Sequence, residues 1–208
     1  MSLYIFIIAT HATEFVVGST LDASSWTRDD FKHPSNWVGP TGKCELGRNQ
    51  SPINIRPKLT KKVTDADPFI FHGYNKRGHT SLTNNGHTVK FQFTKGPHKM
   101  PWIQGGGLDK YKYQFEQGHF HWGNDSHKGS EHNVDYREAP MELHLVHFNR
   151  HFYRNLEEAS SLEKNPSENT SIVNLAVLFK IGSTNKKLDS LVKALSVSYT
   201  HLTLPTKA

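Results

Sequence analysis

The chain has 208 residues, of which 35% are hydrophobic and 21% are charged, which predicts one folded domain and excludes a disordered composition. Its formal net charge is +6, but the basic residues are scattered without a stripe or cluster, so we expect no nucleic-acid partner. The single cysteine excludes a disulfide framework and a four-cysteine zinc module, whereas 14 histidines suggest imidazole chemistry.

The N-terminus carries a short apolar run, residues 3–9. It predicts a secretory signal peptide over residues 1–12 and therefore a secreted protein; the alternative is a buried first strand. The run is too short to cross a bilayer as a helix, so we expect no transmembrane segment. Three glycosylation sequons, which begin at Asn49, Asn124 and Asn169, are compatible with secretion.

Strand patterns dominate the middle of the chain. Residues 88–94 alternate between an apolar and a polar face, and residues 111–122, 141–148 and 172–181 are also predicted as strands. A helix is predicted around residues 152–162. We therefore expect a β-dominated single domain with a few surface helices.

The last two segments of the chain differ in pattern. Residues 186–196 carry four apolar residues at helical spacing and predict an amphipathic helix. Residues 197–208 do not continue this pattern, and their first six residues resemble the translation of a sequencing adaptor. We therefore expect a non-native tail over residues 197–208; the alternative is an ordinary β-type tail.

Histidines at alternate positions of one predicted strand give the first candidate site. His119 and His121 point to one face, because side chains alternate along a strand. Two imidazoles at this spacing can bind one metal ion. Gln117 lies on the same face, where its amide can fix the tautomer of a ring by a hydrogen bond.

The strand predicted over residues 141–148 places Glu142, His144 and Val146 on one face. A carboxylate two residues from a histidine is well placed to orient its ring. If the two strands are neighbours, three imidazoles converge on one ion and leave a fourth position open, as in a catalytic zinc site. For His144 alone, the alternative is a buried core histidine.

Five ordered sequence blocks resemble the α-class carbonic anhydrases, and the resemblance covers residues 26–195. The resemblance implies an α+β, β-dominated fold with a large twisted, mostly antiparallel central sheet and short peripheral helices, and a partial domain over residues 26–196. The blocks are RNQSPINI (48–55), LTNNGH (82–87), GHFHWG (118–123), GSEHNVD (129–135) and ELHLVHFN (142–149).

The resemblance also implies a zinc site. It makes His119, His121 and His144 the Zn²⁺ ligands, and it makes Gln117 and Glu142 the hydrogen-bond partners of His119 and His144. The implied activity is the reversible hydration of CO2 to bicarbonate and a proton by zinc-bound hydroxide, since zinc lowers the pKa of its bound water to about 7. The expected small-molecule partners are CO2, water and bicarbonate.

Four further residues take implied roles from the family blocks. His87 matches the proton shuttle, a role that suits an imidazole with an ordinary pKa near 6.5. Glu131 matches the acid that orients an active-site threonine, and Val146 matches a wall of the apolar CO2 pocket. Cys44 matches a cysteine that extracellular members pair with a later cysteine, so it is a disulfide candidate.

Departures from the family bear on activity. The chain stops before the segment that carries the active-site threonine, so we expect a truncated domain with impaired activity. Gly118 stands where the family has a phenylalanine before the first ligand. The alternatives are a catalytically silent carbonic-anhydrase-like binding or matrix protein and a histidine-rich metal-binding domain without turnover. The other histidines, including His132 and His147, are expected to be packing or surface residues, and the oligomeric state stays open.

Overall fold

The computed structural model describes most of the central part of the chain and a short N-terminal segment. The described residues are 9–11, 51–61, 67–84, 88–95, 99–108, 110–160, 171–189 and 191. The predicted positions Cys44 and His87 lie outside them, as does the predicted tail over residues 197–208.

The described residues form eleven strands, one α-helix and two 3-10 turns. The turns are Pro57–Leu59 and Lys186–Leu188, and the helix, α1, is Leu156–Ser160. The strands are β1 (Ala9–His11), β2 (Asn54–Ile55), β3 (Ile70–His72), β4 (His79–Asn84), β5 (Val89–Lys95), β6 (Trp102–Gln104), β7 (Tyr113–Trp122), β8 (Asn133–Val134), β9 (Arg137–Glu138), β10 (Met141–Asn149) and β11 (Ile172–Phe179).

Eight of the strands form one large sheet. Its main path runs in the order β1-β11-β10-β7-β5-β4, and β6 pairs with both β3 and β7. All the pairs in this sheet are antiparallel. A second sheet has the order β2-β8-β9, and its β2–β8 pair is parallel. The predicted β-dominated, mostly antiparallel architecture is confirmed.

The strand ends depart from the predicted bounds by one or two residues. β11 ends at Phe179, two residues earlier than expected, where it pairs with Met141 at the start of β10. The residue before Met141 is Pro140, which has no N–H with which to continue the ladder. Helix α1 begins later than predicted, because the side chain of Asn155 accepts the backbone N–H of Glu158 and caps the helix there.

The structure describes only parts of the two terminal segments for which the sequence predicts a signal peptide and a helix, and both stay predictions. β1 lies within the segment predicted as a signal peptide, and it pairs with β11 through Ala9 and Leu175. The predicted helix over residues 186–196 starts as a 3-10 turn, followed by helical backbone at Asp189 and Leu191. The described residues contain no helix that is both long and apolar enough to span a membrane.

The core lies on both faces of β10 and β11. One cluster joins Val146, Phe148 and Ile172 to the α1 region, and the other joins Val173 and Leu175 to the far side of the sheet. Successive side chains of these strands point alternately into one cluster and the other, so the centre of the sheet is packed on both faces. This packing fixes β10 and β11 in place, and it therefore fixes the polar side chains that these two strands carry.

Gly118 makes room for an aromatic ring on the far face of the sheet. It pairs with Phe91 of β5, and a Cβ atom at Gly118 would lie 2.2 Å from Cζ of that ring. The ring cannot move away freely, because it packs against Phe115 and Phe120 at centroid distances of 6.1 and 5.9 Å. A side chain at position 118 would therefore collide with the ring of Phe91.

Candidate metal centre

The pairing of β7 with β10 brings the two predicted halves of the site together. His144 lies directly opposite His119, and Glu142 lies directly opposite His121. Residues that face each other across an antiparallel pair project to the same side of the sheet. The three histidines and the carboxylate therefore share one face.

The three imidazole rings form a compact triangle. The ring centroids of His119 lie 5.1 Å from those of His121 and His144, and the centroids of His121 and His144 are 4.6 Å apart. Each ring offers one nitrogen, and these nitrogens lie within 4.8 Å of one another. A single metal ion can be held by such a set.

Hydrogen bonds fix which nitrogen of each ring is free. Nδ1 of His119 lies 3.0 Å from the amide oxygen of Gln117, which leaves its Nε2 as the potential ligand atom. Nε2 of His144 lies 2.7 Å from Oε1 of Glu142, which leaves its Nδ1. These are the contacts that the sequence predicted for Gln117 and Glu142.

The third ring shows an unmet requirement for a partner. Nε2 of His121 is buried and has no hydrogen-bond partner among the described residues, whereas Nδ1 of the same ring lies 3.4 Å from Oε1 of Glu131. A buried polar atom without a partner is costly, and a metal ion would satisfy it. Three imidazole nitrogens are also a donor set that Zn²⁺ prefers, so the residues fit this metal.

Burial keeps these imidazoles in the form that binds metals. Burial, helped by the neighbouring His144, lowers the pKa of His119 to about 4 and that of His121 to about 3. Both rings are therefore neutral at pH 7, with a lone pair available.

Glu142 is fully buried and accepts four hydrogen bonds. Its Oε1 accepts from the rings of His132 and His144 at 2.6 and 2.7 Å, and its Oε2 accepts from the backbone N–H groups of Glu131 and His132 at 2.9 and 2.8 Å. Burial alone would raise the pKa of Glu142, but the hydrogen bonds from His132 and His144 hold it well below its usual range. The carboxylate is therefore ionised, and it orients His144.

His132 belongs to the site, although the sequence assigned it no chemical role. It is only 3% exposed; its Nδ1 donates to Glu142, and its Nε2 lies 3.2 Å from Oγ of Ser51. Oγ of Ser130 donates to the carbonyl of His132 and accepts the backbone N–H of Ala139, which fixes the loop. His132 stands beside Glu131 in the block at 129–135, and this adjacency is the one sequence signal that pointed to it.

A second group that could hold a metal is His132, Glu142 and His144. Its carboxylate oxygens already accept hydrogen bonds from both rings and from the backbone. An ion there would have to break these bonds, so we interpret the group as the support of the three-histidine site.

The remaining predicted residues have different surroundings. The carboxylate of Glu131 lies 3.7 Å from Nε2 of His144 as well as close to His121, and these are its partners among the described residues rather than a threonine. Val146 is 2% exposed and packs with Phe148 in the cluster under α1. It shares the face of His144, and its side chain is covered by that cluster.

The sequence of this chain is similar to those of known carbonic anhydrases. Residues 32–206 match the family model of the eukaryotic-type carbonic anhydrases, a range that includes most of the predicted tail over residues 197–208. The chain is 39% identical to mouse carbonic anhydrase 15 over 130 residues, which are 62% of this chain and 40% of that protein. It is 33% identical to rat carbonic anhydrase 4 over 195 residues, 91% of this chain and 59% of that protein.

A third relative is a putative carbonic anhydrase 5 of Caenorhabditis elegans, 39% identical over 128 residues, which are 59% of this chain and 38% of that protein. The chain thus spans between 38% and 59% of the length of these three curated relatives. The family match nevertheless covers far more than half of the chain and includes every residue of the three-histidine site. The chain belongs to the eukaryotic-type carbonic anhydrase family.

Proposed function

We propose that the protein catalyses the reversible hydration of CO2 to bicarbonate and a proton as a zinc enzyme. The proposal depends on the convergence of His119, His121 and His144 on one face, where the buried Nε2 of His121 has no hydrogen-bond partner in the described part of the chain. Family membership supports the reaction, and the neutral imidazoles support the metal.

The three histidines would hold the zinc ion through Nε2 of His119, Nε2 of His121 and Nδ1 of His144. When bound, zinc supplies a water molecule whose pKa is lowered to about 7, so that hydroxide is available near neutral pH. Gln117 and Glu142 keep the rings of His119 and His144 in their ligand orientations. The negative charge of Glu142 also makes the His144 ring a stronger donor.

The neighbouring residues would divide the work between an apolar and a polar side. On the apolar side, we assign to Val146 a wall of the CO2 pocket, as the family blocks imply; its side chain has no hydrogen-bonding group and so favours CO2 over water. On the polar side, we assign to Glu131 the orientation of an active-site threonine, as the family blocks imply. From the same blocks we assign to His87 the transfer of the product proton to solvent. The carboxylate of Glu131 lies beside His121 and His144, at the edge of the triangle.

We further propose that the protein is exported from the cell. The apolar run at residues 3–9 supports this, and so does the exposed Asn124, which begins a sequon in the turn after β7. Expression of the tagged chain in secretory cells tests the proposal: tagged protein is expected in the medium, and its complete retention inside the cells would contradict export.

Two measurements on one set of variants test the enzymatic proposal. We expect the purified protein to bind stoichiometric zinc and to accelerate CO2 hydration in stopped-flow assays with a pH indicator. His144→Ala is expected to lose both properties, whereas His127→Ala, which removes an exposed histidine after β7, keeps both. Stoichiometric zinc in His144→Ala would contradict the proposed three-histidine site. A zinc-loaded protein that does not accelerate CO2 hydration would contradict the proposed activity.

A further inference from the structure

A lysine stands on the same face of the sheet as the three histidines. β5 pairs antiparallel with β7, and Lys90 lies directly opposite His119. Residues opposed in this way project to the same side with Cβ atoms about 5 Å apart. Because His144 lies opposite His119 on the other flank, Lys90, His119 and His144 form one row across three neighbouring strands.

Among the described residues, the ammonium group of Lys90 forms no ion pair with a carboxylate. The ion pairs found among the described residues all join a histidine to a glutamate, and Lys90 takes part in none of them. Its side chain is half-buried, so water screens its charge only in part. Because the β5–β7 ladder sets Lys90 directly opposite His119, its charge lies on the side of the sheet that carries the three histidines.

Glu116 of β7 interacts electrostatically with Lys90. Burial raises the pKa of Glu116, and the positive charge of Lys90 opposes that rise. Glu116 stands beside the irregularity of the β7–β10 ladder, where Gln117 pairs with Val146 and Phe115 pairs with His147. The charge of Glu116 offsets part of the field of Lys90, and the variants below use this opposition.

We propose that Lys90 is a specificity-determining residue that makes the metal site prefer small monovalent anions, the chemical class of bicarbonate, over neutral ligands of similar size. The inference rests on the proposed function, because it requires a metal ion held by the three histidines. A fixed positive charge next to a metal ligand stabilises an anion that arrives at the metal and leaves a neutral ligand unaffected. In the hydration direction, this preference holds the product, so Lys90 would tighten bicarbonate binding and slow its release.

The test uses the cobalt-loaded protein, whose visible absorption reports a ligand that binds the metal directly. Thiocyanate serves as the anionic probe, and imidazole at about pH 8 serves as the neutral probe. In Lys90→Met we expect thiocyanate affinity to fall about fivefold, the scale of one unit charge across a partly solvated site, with imidazole affinity unchanged. The dependence of thiocyanate affinity on ionic strength is expected to become shallower as well.

Three further variants separate charge from structure. Lys90→Arg keeps the charge and is expected to behave like the unchanged protein. Lys112→Met removes an exposed lysine that lies over the ring of Trp102, before β7 begins, and is expected to have no effect on either probe. Glu116→Gln removes the opposing charge and is expected to raise thiocyanate affinity.

The outcomes distinguish this inference from the proposed function. If the unchanged protein fails to bind cobalt, the proposed function falls and the preference for anions falls with it. If cobalt binds and thiocyanate affinity is the same in Lys90→Met as in the unchanged protein, the inference about Lys90 is wrong and the metal site stands. A parallel loss of thiocyanate and imidazole affinity in Lys90→Met would also overturn it, since a distorted site loses both.

Discussion

His132 donates a hydrogen bond of 2.6 Å to Glu142, and the oxygen that accepts it is the one that orients His144. Glu142 stays ionised in a fully buried position only because such donors surround it. His132 therefore acts on the candidate metal site through Glu142, which in turn orients the ligand His144.

Replacement of His132 tests this indirect support. In His132→Ala, Glu142 loses one of its two ring partners, and we expect zinc affinity to fall by about ten- to a hundredfold, the usual cost of losing an outer partner of a metal ligand. Competition with a chromophoric chelator measures the affinity. His132→Gln, which can still donate to Glu142, is expected to recover part of it; equal zinc affinity in His132→Ala and the unchanged protein would contradict the role.

The close contact between Gly118 and Phe91 predicts a coupled pair of substitutions. Gly118→Ala places a methyl group 2.2 Å from the ring of Phe91, and we expect it to lower the free energy of unfolding by about 1–3 kcal/mol. Phe91→Leu removes the obstructing end of the ring. In the double variant the loss is expected to be smaller than the sum of the two single losses, as measured by urea unfolding; simple additivity would show that the two positions do not touch.

Buried neutral histidines predict that the metal-free protein loses stability in mild acid. Burial lowers the pKa of His147 to about 4, whereas an unfolded imidazole titrates near 6.5. Between these values the unfolded chain takes up a proton that the folded chain does not, so the free energy of unfolding falls as the pH falls. His147 alone would contribute a loss of about 3 kcal/mol between pH 6.5 and 4.

A non-titrating variant isolates this contribution. In the metal-free form of His147→Gln, we expect a shallower fall of the free energy of unfolding over the same pH range, measured by urea titration at each pH. The contact of His147 with the hydroxyl of Tyr74 is lost or altered in this variant, so the slope with pH is the readout rather than the absolute stability. His127→Gln is the matched control, and an unchanged slope in His147→Gln would argue against a buried neutral ring.

Metal binding is expected to stabilise the fold. A ligand that binds only the folded state at a hundredfold excess over its dissociation constant adds about 2.7 kcal/mol to the free energy of unfolding. We therefore expect zinc to raise the thermal midpoint and a chelator to reverse the rise. Magnesium, which prefers oxygen ligands, is expected to have no such effect. His121→Ala should abolish the response to zinc; an equal response in this variant would place the zinc elsewhere.

The faces of β7 and β10 could be predicted from the sequence, whereas their support could not. Alternation along a strand fixes that His119 and His121 point the same way, and the same rule applies to Glu142 and His144. His132 lies in a loop, and its contact with Glu142 depends on how the chain returns to the sheet. No local period encodes such a return, so only the folded structure shows it.

The sequence alone could not indicate the role proposed for Lys90, for a similar reason. The sequence places Lys90 on the polar side of its strand, which ordinarily faces solvent. Which neighbouring strand that side joins depends on the β5–β7 register, a long-range property. The same limit applies to Gly118, because only the folded structure shows that the ring of Phe91 lies against it.

The register between β7 and β10 makes the metal site a reporter of correct strand pairing. A slip of one residue would carry His119 and His121 to the opposite face from His144, because side chains alternate with a period of two. A chain paired in that way would keep nearly the same backbone hydrogen bonds but would lose the three-nitrogen cluster. Zinc present during folding would therefore favour the native register over its closest competitor, and chains that fold without it would rely on side-chain packing alone to make that choice.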